Sequence, residues 1–301
     1  MTLQDRSLHR FASFVAGTTL ILVSAGASVT STGSGLAVPD WPLSFGTLFP
    51  PMVGGVLYEH GHRMIAGLVL VLTTILVVWL VRKDERAWVR KLALAAMVAL
   101  VVQALLGGLT VLLKLPTLVS VSHAGLAMAF FGVIVSLALF TSPGWREGPS
   151  AHAGVVSSLR GLSFVTTAAI YLQIILGAVM RHTGAGLAIP DFPLSFGRIF
   201  PPVVTAPILI HYSHRLGALA VTVCVVLLLV RIVRYHRTEA RFARPALLLG
   251  VLLLLQLLLG ALTIWTGRAV LPTTAHVAFG AAVLAVSLVV TLRSYRFQPE
   301  A

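Results

Sequence analysis

Apolar runs of nearly constant length alternate along this chain with short polar breaks. Eight runs, at about residues 11–30, 60–81, 92–113, 119–141, 161–180, 208–230, 246–266 and 272–292, each match the roughly 20 residues that a helix needs to cross a hydrocarbon core of about 30 Å. The pattern predicts an all-α polytopic membrane protein with eight transmembrane helices. Two of the breaks share the form G-x-G-L-A-x-P-D-x-P-L-S-F-G. Their prolines and glycines specify compact, turn-rich segments rather than helix, expected to cap a bundle mouth. Asp40 and Asp191 within them either make turn hydrogen bonds or serve a ligand, and hydropathy does not separate the two.

Composition narrows the class. Hydrophobic residues make up 57% of the 301 and charged residues 10%, against roughly 25% charged in soluble domains; this excludes ordinary soluble, disordered, collagen-like and disulfide-scaffold proteins. The single cysteine, Cys224, lies in an apolar run, so neither an intrachain disulfide nor a thiolate cluster can form. A net charge of +13 would suggest a nucleic-acid partner in a soluble protein, but here position explains it. Arg6, Arg10, Arg82, Lys83, Arg86, Arg90, Lys91, Arg146, Arg160, Arg231, Arg234, Arg237, Arg241, Arg244, Arg293 and Arg296 fall in the N-terminus, the even-numbered connections and the C-terminus. Only Lys114, Arg181, Arg198 and Arg268 fall on the other side, while Arg63 and Arg215 fall inside spans. The positive-inside rule therefore predicts cytoplasmic termini, with lipid and not nucleic acid as surroundings. The opening MTLQDRSLHRF imitates a signal peptide but lacks a clean cleavage site, so it is read as the start of the first span.

The chain is duplicated. GSGLAVPDWPLSFG at 33–46 returns as GAGLAIPDFPLSFG at 184–197, an offset of 151, with FPP following both. Downstream, HRMIAG pairs with HRLGAL, QALLGGLT with QLLLGALT and SHAGLAM with AHVAFGA, at offsets of 152 and 153. Four spans per repeat is an even number, so the halves share one orientation, and the expected fold is two tandem four-helix bundles related by a pseudo-two-fold axis along the membrane normal. The expected division is 1–145, a linker at 146–160, and 161–301.

Of ten histidines, four recur under the repeat a few residues inside spans: His62, His123, His214 and His276. Spans two, four, six and eight all start on the outer side, so these four lie at similar depth near it. Neutral imidazoles on facing helices of a bundle suit haem iron. His62 with His123, and His214 with His276, would each hold one haem. Gly67, Gly125, Gly217 and Gly280 would let a flat macrocycle approach, although membrane glycines also serve helix packing. Interior hydrogen bonding is the plain alternative for a single membrane histidine, and zinc, which wants three or four clustered ligands, fits two per half less well.

Glu59 and His211 each precede the repeated histidine by three residues, on the same helix face and about one turn nearer the outer surface. A carboxylate in one half only implies unequal sites, with the one near Glu59 reactive; a structural carboxylate neutralising His60 or Arg63 is the other reading. Arg63 and Arg215 are candidate partners for haem propionates or snorkelling cations. His60 points away from His62 and is not expected to share its iron.

These residues together resemble the haem A synthase family, which converts haem O to haem A for cytochrome oxidase assembly. The resemblance spans nearly the whole chain: eight helices in two repeats, E-x-x-H-R at Glu59 to Arg63, the second H-R at His214 and Arg215, and His123 and His276. It implies that His62 and His123 hold the substrate haem O, that His214 and His276 hold a cofactor haem b, and that Glu59 is catalytic. It further implies stepwise oxidation of a methyl group through an alcohol to a formyl group, the second haem serving as electron relay. A haem O synthase and an electron acceptor or donor are the implied partners. Some members carry a cysteine pair in an outer loop; this chain has none there, so a thiol relay does not apply. Two rivals share these residues: a dihaem b-type cytochrome that only transfers electrons, and a proton-coupled transporter with a parallel repeat.

Overall fold

The structure, a computed structural model, describes residues 3–146 and 157–296. Its elements run α1 (Leu3–Ser31), α2 (Gly55–Lys83), α3 (Ala87–Leu112), α4 (Thr117–Phe140), a short α5 (Pro143–Arg146), α6 (Ser157–His182), α7 (Ala206–His236), α8 (Ala240–Trp265) and α9 (Val270–Arg296), with a 3-10 turn at Ala185–Leu187. All but α5 and the turn are long and apolar enough to cross a membrane, and the chain is an integral membrane protein. Most of the expected linker, 147–156, lies outside the described residues.

The helices outrun the apolar runs. Arg82 and Lys83 end α2, Arg234 and His236 fall in the last turn of α7, and Arg293 and Arg296 in that of α9. Hydropathy stops at the first charge, whereas cations favour the negative end of a helix and carry it into the polar interface.

Packing inverts the soluble pattern. Large side chains such as Phe49, Leu118, Leu247 and Leu271 lie outside, while Thr19, Thr73, Ser163, Thr166, Ser287 and Ser294 are buried. Between apolar helices in lipid, small residues and hydroxyls supply association where the hydrophobic effect does not. Thr167 Oγ1 lies 2.7 Å from Ser287 Oγ and 2.8 Å from Thr291 Oγ1, and the Ser163 and Ser294 hydroxyls are 3.0 Å apart, fastening α6 to α9.

Within the first four long helices, α1 packs on α2 and α4, and α3 on α2 and α4; among the last four, α6 packs on α7 and α9, and α8 on α7 and α9. Each set is a square, with α2 opposite α4 and α7 opposite α9. The sets meet through α1, α4, α6 and α9, leaving α2, α3, α7 and α8 on the outside of the molecule.

At the end that holds the termini, Asp84 is buried in the α2–α3 turn. It accepts from Arg86 N–H, Nε and Nη2 at 3.0, 2.9 and 2.7 Å and from Arg146 Nη2 at 3.2 Å, so that α5 is tied to this turn. Burial pushes this carboxyl up, but the Arg86 bonds and the two guanidinium charges outweigh it and hold it below the ordinary value.

Candidate functional site

The two long loops lie at the other end, and each is built around an aspartate. Phe45 and Gly46 N–H donate to Asp40 at 2.7 and 2.8 Å, and Phe196 and Gly197 N–H to Asp191 at 2.7 and 2.8 Å. Phe45 and Phe196 have φ of 55° and 56°, a left-handed conformation that a non-glycine residue keeps only when its surroundings hold it. The carboxylates do that holding, and the Gly46 and Phe45 amides, like those of Gly197 and Phe196, keep both aspartates below their ordinary pKa. The turn reading of Asp40 and Asp191 is what the structure shows.

The loops are pinned to the bundles by the first turns of α2 and α7. Arg63 Nη1 donates to the Asp40 and Leu43 carbonyls at 2.8 and 2.7 Å, and Arg215 Nη1 and Nη2 to the Leu194 and Asp191 carbonyls at 2.7 and 2.6 Å. Both arginines were candidate propionate partners, yet their terminal nitrogens already serve loop carbonyls. Arg63 Nη2 also pairs with Glu59 Oε1 at 2.7 Å. Glu59, 4% exposed, accepts the Val38 N–H on Oε2 at 2.9 Å. Its counterpart His211, 2% exposed, accepts the matching Ile189 N–H on Nδ1 at 3.2 Å. One loop amide is thus met by a carboxylate in the first half and by an imidazole in the second. His60 faces the loop as well, with Nδ1 2.8 Å from Ser44 Oγ, and its place away from His62 accords with the sequence pattern.

The four repeated histidines share one seat. All are half-buried, within the first two or three turns of α2, α4, α7 and α9, and each rests on a glycine of the preceding long helix. A Cβ at Gly26, Gly107, Gly177 or Gly260 would lie 3.1, 3.0, 3.0 and 3.2 Å from Cε1 of His62, His123, His214 and His276 respectively. Cα–Cβ bonds tilt towards the helix N-terminus, so a glycine also uncovers the backbone of the turn before it. His276 Nδ1 lies 3.2 Å from the carbonyl of Gln256, four residues before Gly260. Leu22 and Gln103 offer the matching carbonyls to His62 and His123, whose buried Nδ1 atoms lack a hydrogen bond of full geometry. His214 differs in that Gln173 Nε2 lies 3.0 Å from its Nδ1.

This arrangement fits haem. His276, with Nδ1 turned to a helix carbonyl, is oriented as metal-ligating histidines are, with Nε2 left for the metal. Nε2 of His123 and of His276 has a glutamine amide nitrogen at 3.3 and 3.4 Å, too long for a strong bond. His62 and His123 stand on opposite corners of their square, and so do His214 and His276. Among the described residues no three His, Cys, Asp or Glu side chains gather as a metal site.

Of the glycines expected to face a macrocycle, three meet side chains instead. Gly67 faces open space; Gly125 takes Ile175 and the Tyr171 hydroxyl of α6, closing the seam between the halves; Gly217 and Gly280 lie against Gln173 and Gln256. Gly26, Gly107, Gly177 and Gly260 were legible, since they repeat at the same offsets one helix before each histidine. His182, at the end of α6, lies beside the first turn of α4, its carbonyl 3.4 Å from the Thr117 hydroxyl.

Fold and site together define a class: a membrane protein of eight spans carrying four glycine-backed imidazoles, two to each square of helices. Residues 53–288 match the family model described as Cytochrome oxidase assembly protein. A protein named Heme A synthase from Geobacillus kaustophilus is 29% identical over 298 residues, covering 97% of this chain and 94% of the relative. Others of that name, from Halalkalibacterium halodurans and Symbiobacterium thermophilum, are 30% identical over 280 residues (90% and 91% covered) and 33% over 217 (68% and 69%). The chain belongs to the haem A synthase family and is an enzyme of haem A biosynthesis.

Proposed function

We propose that this enzyme oxidises a methyl substituent of haem O, its substrate, to the formyl group of haem A at the site of His62 and His123, and that His214 and His276 hold a resident haem b. The single observation that carries this reading is the imidazole seated on glycine four times over, at matched depth on opposed helices. A substrate haem held by His62 and His123 would sit beneath the loop that Arg63 pins. The iron of a bound haem b supplies a one-electron couple to the second site. The protein supplies the rest. Glycine-backed imidazoles fix the ligands, the loops exclude water, and Glu59 provides the one buried carboxylate at a loop–bundle contact.

Glu59 is proposed to stabilise positive charge developing on the substituent and to take its proton on a carboxylate oxygen, with Arg63 holding the side chain in place. One observation favours the electron-transfer rival: Glu59 and His211 do the same job for a loop amide, so the carboxylate has a structural use that needs no chemistry. Glu59→Gln keeps an acceptor for Val38 N–H and separates the two. The expected result, in membranes containing haem O, is both haem spectra retained and haem A formation reduced at least a hundredfold, the usual scale for an acid–base group. Haem A formation unchanged in this variant would leave the rival standing.

The 1–145 and 161–301 halves are proposed to be haem units of like orientation, related by an axis along the membrane normal. The basic residues at the end that holds the termini support a cytoplasmic position for that end and a position near the outer leaflet of the cell membrane for the histidines. A haem O synthase as donor of substrate, water as the source of the formyl oxygen, and a separate acceptor for the four electrons that leave with four protons complete the proposal. The propionate role of Arg63 and Arg215 is not part of it, because a propionate would compete with loop carbonyls for the same nitrogens.

A further inference from the structure

Where the repeat would place another threonine, the second half carries a charge. Arg181 stands at the position of Thr30 under the offset of 151, and Thr30 only returns its hydroxyl to its own helix, at the Gly26 carbonyl 3.3 Å away. Arg181 is in the last turn of α6, four residues beyond Gly177, and so shares the face on which His214 rests. Its Nη2 leaves that helix, crosses the seam between the halves and donates to the Ala27 carbonyl and Ser31 Oγ of α1 at 3.0 and 2.8 Å. Ala27 adjoins Gly26, the seat of His62. Ser31 Oγ in turn accepts from the Thr274 hydroxyl at 3.1 Å, and Thr274 is two residues before His276 on α9. One guanidinium therefore touches the backbone beside the first site and, through Ser31 and Thr274, is linked to the helix that carries His276 of the second.

Among the described residues no carboxylate forms an ion pair with Arg181. The partners its Nη2 meets, the Ala27 carbonyl and the Ser31 hydroxyl, are neutral. A fixed cation in a poorly screened interior favours the state of a nearby couple that carries one more electron, and charge near a haem is one of the levers that set its potential.

We propose that Arg181 is a positioning residue between the two sites whose charge raises the reduction potential of the haem held by His214 and His276. The inference rests on the haem reading above. Its test is spectroelectrochemical titration of the purified full chain loaded with haem. Arg181→Gln removes the charge and keeps a donor for the α1 carbonyl. Arg181→Lys keeps the charge, and Ser31→Asp neutralises it in place.

At the wild-type midpoint of the C-terminal haem, Arg181→Gln and Ser31→Asp are expected to lower the ferrous-to-ferric ratio about tenfold, which is about 59 mV for a one-electron couple; Arg181→Lys keeps the ratio within about threefold. A ratio within twofold of wild type in the neutralised variants, or a Lys variant that shifts as far as the Gln variant, overturns the inference and leaves Arg181 a mere tie between helices. If Arg181→Gln does not accumulate, Ser31→Asp decides alone. Wild-type protein without haem at His214 and His276 contradicts the haem reading and this inference with it, whereas haem present with an unmoved potential contradicts the inference alone.

Discussion

A glycine beneath each histidine is the smallest unit of the site, and its effect is steric. At 3.0 Å from the His214 ring a Cβ on Gly177 already forces a shift, and a branched side chain leaves no room for the imidazole where it now lies. Gly177→Leu is expected to empty the second site, halving the haem-to-protein ratio measured on extracted pigment; Gly67→Leu, facing open space, keeps it. The histidines were readable from the sequence because ligand chemistry restricts the residue type, whereas glycine has many uses in a membrane helix and its role appears only when the neighbouring helix is in place. Asp40 shows the same limit from another side, since its partners Phe45 and Gly46 are set by a turn that propensity suggests but does not place. Its lowered pKa gives a sign. A carboxylate whose folded value lies below the ordinary one of about 3.9 stabilises the loop fully above that value and loses its effect as pH falls through the lower folded value. Amide exchange at Phe45 and Gly46 is expected to be slow and flat from about pH 7 to 5 once corrected for intrinsic rates, and faster throughout in Asp40→Asn.

At the scale of elements, the loop and the bundle are fitted to one another differently in the two halves. The Trp41 ring lies so close to Gly108 of α3 that a Cβ there would come within 2.6 Å of it. The matching residues in the second half are Phe192 and Ala261, a smaller ring with a larger backbone neighbour. Gly108→Ala is expected to cost about 1–3 kcal/mol by overpacking, read as a lower unfolding temperature in detergent. Adding Trp41→Phe should recover most of that loss, a coupling that independent sites would not show. The sequence displayed both substitutions but not their connection, because loop and helix are far apart along the chain. Helix number and order were legible, since lipid demands long apolar spans. Helix ends were not, because Arg82, Lys83 and Arg293 continue the backbone into the interface where hydropathy has already fallen.

For the whole molecule, duplication makes the site readable and also hides what differs between its copies. Shared offsets identify the paired histidines, yet the departures from the repeat, Glu59 against His211 and Thr30 against Arg181, are where the two halves acquire separate tasks. The seam built by α1, α4, α6 and α9 brings Arg181 of the second half against α1 of the first, which no linear pattern records. The central claim is that each square of helices holds one haem between two imidazoles, and low-temperature EPR of the oxidised, haem O-supplied protein tests it most directly. The account requires two low-spin ferric signals of bis-imidazole type, one lost in His62→Ala and the other in His214→Ala. A single signal unaffected by His214→Ala, or none in haem-sufficient membranes, would contradict it.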